Sequence, residues 1–183
     1  MEKPQLPTLV ELTSDLELSY KNDAFNLLLN QQPPANWIKK HPFIANYHYL
    51  PIDKIEHLLR KIFKQYRIEV LKTGTLFNSI EVHVRVHYLH PITNEWNYHD
   101  GVGACELQTK KDSGNLNLDL SNINKGAVMM ALPIAKTTAI KDAVDMFGSL
   151  FGANLNRRDA VEFKPDADTL TFIKSNKEKL NGN

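Results

Sequence analysis

The order helix, helix, strand, strand, strand, helix predicts an α+β protein. The expected form is an antiparallel β-meander packed on helices, a β-β-β-α core with an accessory N-terminal helix. Three observations carry this. Residues 77–89 alternate, with Ile80, Val82, Val84, Val86 and Tyr88 on one face and Glu81, His83, Arg85 and His87 on the other, the period of a half-buried strand. Residues 52–66 place Ile55, Leu58, Leu59, Ile62, Phe63 and Tyr66 at the spacing of one helical face. A third, longer helical pattern runs from about Asn124 to Phe151.

The remaining elements follow in order. Residues 1–13, with Pro4 and Pro7, read as an extended arm. Residues 14–31 read as a helix with Ser14 as cap, Glu17 three residues on, and Leu18, Phe25, Leu28 and Leu29 as apolar members. Pro33 and Pro34 end it. The 52–66 helix leads into a strand at 67–73, stopped by Gly74. His90–Asn94 forms the turn to the return strand 95–107, in which Asp100-Gly101-Val102-Gly103 predicts a bulge or tight bend. Residues 109–121 read as a polar loop, and Pro133 predicts a kink or a split in the long helix. Residues 153–183 are polar apart from Leu170, Phe172 and Ile173.

Composition bounds the function. The chain has 183 residues, 42% hydrophobic, enough for one domain with a true core. Its single cysteine, Cys105, makes no internal disulfide. The N-terminal stretch carries acids and prolines rather than an apolar core of a signal peptide, so a cytoplasmic location is expected. No window has the roughly 18 apolar residues of a membrane span. The net charge of +1 argues against a uniformly basic nucleic-acid coat, but the charge is clustered. Residues 36–72 hold eight basic and three acidic residues, so +5, against −3 for residues 1–35 and −1 for residues 73–183.

Chemistry concentrates in that cationic third. Lys54, His57, Lys61 and Lys64 share one face of the 52–66 helix, and Arg67 follows at its exit. Such a stripe is either a solvated face or a phosphate track. Lys39, Lys40 and Lys72 extend it, and Trp37, Tyr47, Tyr49 and Tyr66 supply rings of the kind that stack on single-strand bases. Arg85, on the polar strand face, is a further phosphate ligand. His83 and His87 lie about 13 Å apart along a strand, too far for one metal ion, so a metal site needs His99 and Asp100 from the return strand. No nucleotide-binding loop and no nucleophile motif is present, so no catalytic residue and no cofactor is expected.

The run Lys136-Thr-Thr-Ala-Ile-Lys141-Asp-Ala-Val-Asp-Met-Phe147-Gly148-Ser-Leu-Phe151-Gly152 resembles the signature helix of single-strand annealing proteins of the Rad-fifty-two superfamily, which includes phage recombinases of the Sak type. Tyr49-Leu-Pro-Ile-Asp-Lys54 before its helix, Val84-Arg85-Val86, and Tyr98-His99-Asp100-Gly101-Val102-Gly103 resemble further family features in the same order. The similarity covers about residues 36–158, the annealing core. Residues 1–35 then form an N-terminal arm and helix, and 159–183 a polar C-terminal tail.

The resemblance implies a homo-oligomeric ring or filament that binds single-stranded DNA and anneals complementary strands in recombination and repair without ATP. It implies a phage or prophage origin and a bacterial host cytoplasm, no enzymatic activity, and no membrane. A companion exonuclease or single-strand-binding protein fits the same picture. By position, Lys54, Lys125 and Lys141 match DNA-contacting residues of the family. Lys136, in the same helix, and Arg157 and Arg158 beyond it complete the cationic candidates. The sequence departs from the family at Asp142 and Asp145, where members are often basic. Two other readings stand beside this one: a metal-dependent phosphoesterase or nuclease using His83, His87, His99 and Asp100, and an oligomeric interaction protein that does not bind DNA.

Overall fold

The protein was described from a computed structural model, which covers residues 16–42, 44–110, 120–160, 164 and 167–181. The 1–13 arm, the Ser14 cap and most of the 109–121 loop lie outside these. The chain is α+β. Helix α1 spans Leu16–Leu29, strands β1 and β2 are the short pair Lys39–Lys40 and His48–Tyr49, and α2 spans Ile52–Ile62. Strands β3 (Tyr66–Leu76), β4 (Ser79–Leu89) and β5 (Trp96–Glu106) follow, then α3 (Ala127–Asp145) and α4 (Ala167–Asn181). The three long strands form one antiparallel meander in the order β3-β4-β5.

The alternation in β4 decides which way the sheet faces. Ile80, Val82, Val84, Val86 and Tyr88 are all buried. Glu81, His83, Arg85 and His87 are not. Burying each of the large apolar side chains contributes about 1.5–3 kcal/mol. They meet Ile55, Leu58, Leu59 and Phe63 of the α2 segment, and Phe147 and Phe151 after α3, in one core. Phe63 centres the aromatic part, with its ring 4.8 Å from Tyr88 and 4.5 Å from Phe147. The α2 helix ends at Ile62 rather than 66, because Lys64 takes φ 60° and turns the chain into β3.

Helix α3 lies on β5 and β4 through a ladder of alanines. Ala127, Ala131, Ala135, Ala139 and Ala143 recur at every fourth position and are at most 3% exposed. Opposite them are Gly101 and Gly103. A Cβ on Gly101 would strike the backbone of Ala139 and Ala143, and one on Gly103 the backbone of Ala135 and Ala139. These glycines therefore do not make a bend. Strand β5 runs unbroken through them in regular register with β4. The sheet's irregularity falls instead in β3, between Val70 and Lys72. Strand β3 also passes through Gly74 to Leu76.

Two further expectations are corrected. Of the two alternatives at Pro133, the split is excluded, since α3 runs through it as one helix of 19 residues. Pro133 and Met129 are both exposed, a side on which water meets the carbonyl left without a partner. On α1, Leu18 and Leu28 are 37% and 40% exposed, whereas Ser19 and Asp23 are buried. The polar face is buried because α4, inside the polar C-terminal segment, packs there: the Thr169 hydroxyl donates to Asp23 Oδ2 at 2.9 Å and Phe172 stacks on Tyr20.

The close approach of α3 to β5 makes a stability prediction. Gly101→Ala and Gly103→Ala should each cost about 1–3 kcal/mol in urea unfolding, since rigid backbone must move to admit the methyl group. Gly74→Ala is the control. Its added carbon meets only the flexible Glu81 side chain, and a cost near 0.5 kcal/mol or less is expected.

Candidate nucleic-acid interface

Helix α3, the β1–β2 hairpin and the edge strand β5 enclose a groove of about 740 Å³. Its lining includes His41, Tyr47 and Tyr49 from the hairpin, Val102 and Ala104 from β5, and Thr137, Thr138, Lys141, Asp142 and Asp145 from α3. The hairpin is only two residues a side, pairing Lys39 with Tyr49 and Lys40 with His48. Asn156 completes it as a surrogate strand. Its side-chain oxygen accepts from His48 N at 2.7 Å, and its amide nitrogen donates to His48 O at 2.8 Å. This clamp, 108 residues away in sequence, sets Arg157 and Arg158 beside the hairpin that carries Lys39 and Lys40.

Lys141 lies half-buried in the groove with its Nζ 4.5 Å over the Tyr49 ring. Burial holds its ammonium below the ordinary lysine range, against the pull of Asp145. The ammonium is thus partly stripped of water, and Asp145 is the charge that offsets this cost. At the next residue, Asp142 Oδ2 accepts the backbone N–H of Val102 at 2.9 Å. The acid that departs from the resemblance is thus tied to the edge of β5. Asp145 stays exposed as a residue, yet loss of water around its carboxyl, with repulsion from Asp142, pushes it up to about 6; Arg157 and Lys141 act the other way.

The remaining candidates fall in three places. On α2, Lys54 Nζ sits 5.6 Å over the Trp37 ring and 3.0 Å from Asp53, and the same ring meets His57 edge-on. Lys61 continues that face, but Lys64, predicted to share it, lies past the end of α2 where φ 60° turns the chain away; both are exposed and without an ion pair among the described residues. Tyr66 packs against the core instead of standing free as a stacking ring. On the open face of the sheet, Arg67 meets Glu69 and His87, and Arg85 is locked by Asp100 at 2.6 and 2.7 Å. That bidentate pair holds Asp100 below the usual carboxylate range, so the charge of Arg85 is largely spent. Lys125 and Lys136 are exposed but do not line the groove. Lys136, five residues before Lys141, points about 140° away around the helix.

The alternative metal set does not converge. His83 and His87 lie on the open face, whereas His99 turns inward, its Nε2 3.2 Å from the Tyr88 hydroxyl and its ring edge-on to Phe147. The described residues contain no group of three His, Cys, Asp or Glu able to hold a metal ion. None of their helices is long and apolar enough to cross a membrane. Sequence reasoning missed Asn156 altogether, since no local pattern marks an asparagine that closes a hairpin. No protein-family model matches the chain, and no curated protein matches it.

Asp145 yields a pH prediction. The folded state binds its proton more tightly than the unfolded chain, where the carboxyl titrates near 3.8. Charged Asp145 therefore lowers stability above about pH 6, and the loss fades as pH falls toward 4. Asp145→Asn should stabilise by about 1 kcal/mol at pH 7.5, less than the full shift implies because solvent screens the carboxylate. It should give no gain at pH 4. Thermal melts at the two pH values check both signs.

Proposed function

We propose that this protein binds single-stranded DNA and anneals complementary strands without ATP, acting as a homo-oligomer. The observation that carries the reading is the placement of two sequence-distant lysines on aromatic rings, Lys141 on Tyr49 and Lys54 on Trp37. Cations interleaved with rings suit a single strand, whose phosphates need neutralising and whose bases offer flat faces. The groove beside Lys141 is lined by α3 from Pro133 to Asp145, and Arg157 acts on Asp145 at that end. Annealing needs no chemical step. Strands held by their backbones pair because pairing is downhill, and an oligomer sums many weak contacts along each strand.

The oligomer has its own support. Val128, Met129, Met130, Leu132 and Ile134 stand 40–81% exposed on the first half of α3. Contiguous exposed apolar side chains of this kind mark contact surfaces. A second copy is the simplest cover, and the purified protein should sediment well above its 20.9 kDa monomer mass.

Binding to a labelled oligothymidine should fall steeply with salt, with a log–log slope of about −0.7 per phosphate contact. Lys54→Ala and Lys141→Ala should each weaken binding severalfold and make the slope shallower by roughly one contact. Both should fold normally: the Lys54 contacts to Asp53 and Trp37 are at the surface, where such pairs contribute little, and at Lys141 burial of the charge opposes what Tyr49 and Asp145 supply. Salt-independent binding, or an unfolded variant, contradicts the assignment. Mixing complementary labelled strands with the protein, in the absence of any nucleotide, tests annealing itself.

A further inference from the structure

The open face of the sheet, opposite α3, carries features that the groove does not use. Its side chains line up across the strands. Arg67, His87 and Tyr98 form one row in register, and Leu89 pairs with Trp96 at the end of the sheet. Trp96 is 56% exposed and Tyr98 53%. The two rings share the face two residues apart on one strand, about 7 Å along it. Tyr98 is held in place, with the Arg85 guanidinium 3.9 Å from its ring centre and His87 at 6.1 Å. Trp96 has no ring or cation partner among the described residues. Arg67, His87 and Trp96 line a hollow of about 420 Å³, within the size range of ligand sites.

We propose that this face is a second nucleic-acid contact, where a base of a single strand stacks on Trp96 and Arg67 meets its phosphate. The single-strand reading supplies the identity of the ligand; the place of the site does not depend on the groove. The chemistry selects this occupant. A solvent-exposed indole beside a guanidinium is what base stacking with phosphate contact requires. Glu69, which touches Arg67 and His87, does not line the hollow. A second protein copy is a poorer fit. Covering this face would bury the row Glu69, Arg85, Asp100, whose charges would have to leave water. A single strand stacks on the rings and leaves that row hydrated.

The test compares oligothymidine with an abasic deoxyribose-phosphate oligomer of equal length and charge, by fluorescence anisotropy of an end label. Wild-type protein should bind oligothymidine more tightly. Trp96→Ala should lower oligothymidine affinity about ten-fold and leave abasic affinity unchanged, and Trp96→Phe should recover most of the loss. Should the alanine variant fail to fold, Trp96→Leu, which is apolar without a stacking face, replaces it. In Lys141→Ala, the preference for bases over the abasic strand should persist although overall affinity drops. Three results overturn the proposal: Trp96→Ala binding oligothymidine as wild type does, losing both oligomers equally, or changing sedimentation size, which would make the face a subunit contact. If wild-type protein binds neither oligomer at low salt, the single-strand reading fails and takes this site with it.

Discussion

The structure depends on one approach of backbone to backbone. Helix α3 rests on strand β5 with no side chain between them at Gly101 and Gly103, and its alanine ladder is what faces the sheet. Close seating draws the far end of α3 down beside the edge of β5. Lys141, Asp142 and Asp145 are thereby brought level with the β1–β2 hairpin, and the groove exists because of it. Larger residues at these contacts would lift the helix, and the core under Phe147 and Phe151 would lose its lid. After α3 the chain must turn sharply to return those phenyl rings to the core. It does so at Gly148 and Gly152, at φ 118° and 110°, conformations that disfavour any side chain.

That geometry also recasts the two acids. Read from the sequence, Asp142 and Asp145 either remove positive charge from the expected groove or pair with Arg157, Arg158 or a neighbouring subunit's lysine. In the fold Asp142 occupies the Val102 N–H on the outer edge of β5. An open edge donor invites pairing with another strand, so the carboxylate closes part of that edge while it lowers the local potential. Asp145 is held partly protonated near pH 6. The groove is consequently more cationic in mild acid than at neutrality.

The meander was legible in the sequence because β4 alternates over its whole length, and α2 because its apolar face is continuous. Gly101 and Gly103 were legible as positions needing small residues, but not as a helix seat. A glycine pair in a strand fits a bulge or a close approach equally well, and only the ladder at Ala135, Ala139 and Ala143 on another element decides. The buried face of α1 was illegible for a related reason. Ser19 and Asp23 carry no apolar signal, and their burial follows from Thr169 on a helix 146 residues away. Among the site residues, lysines on a helical stripe were visible by spacing alone. The neutralisation of Arg85 by Asp100, the packing of Tyr66 and the Asn156 clamp depend on register and tertiary contact, which local pattern does not encode.

Amide hydrogen exchange with and without a saturating oligothymidine tests the central claim most directly, because it locates the strand without altering the protein. Slowed exchange is expected over residues 39–49 and the second half of α3, from Ile134 to Asp145, and in the loop carrying Arg157 and Arg158. Saturated binding with no slowing in the hairpin or in α3 would contradict it, and would place the strand elsewhere on the molecule.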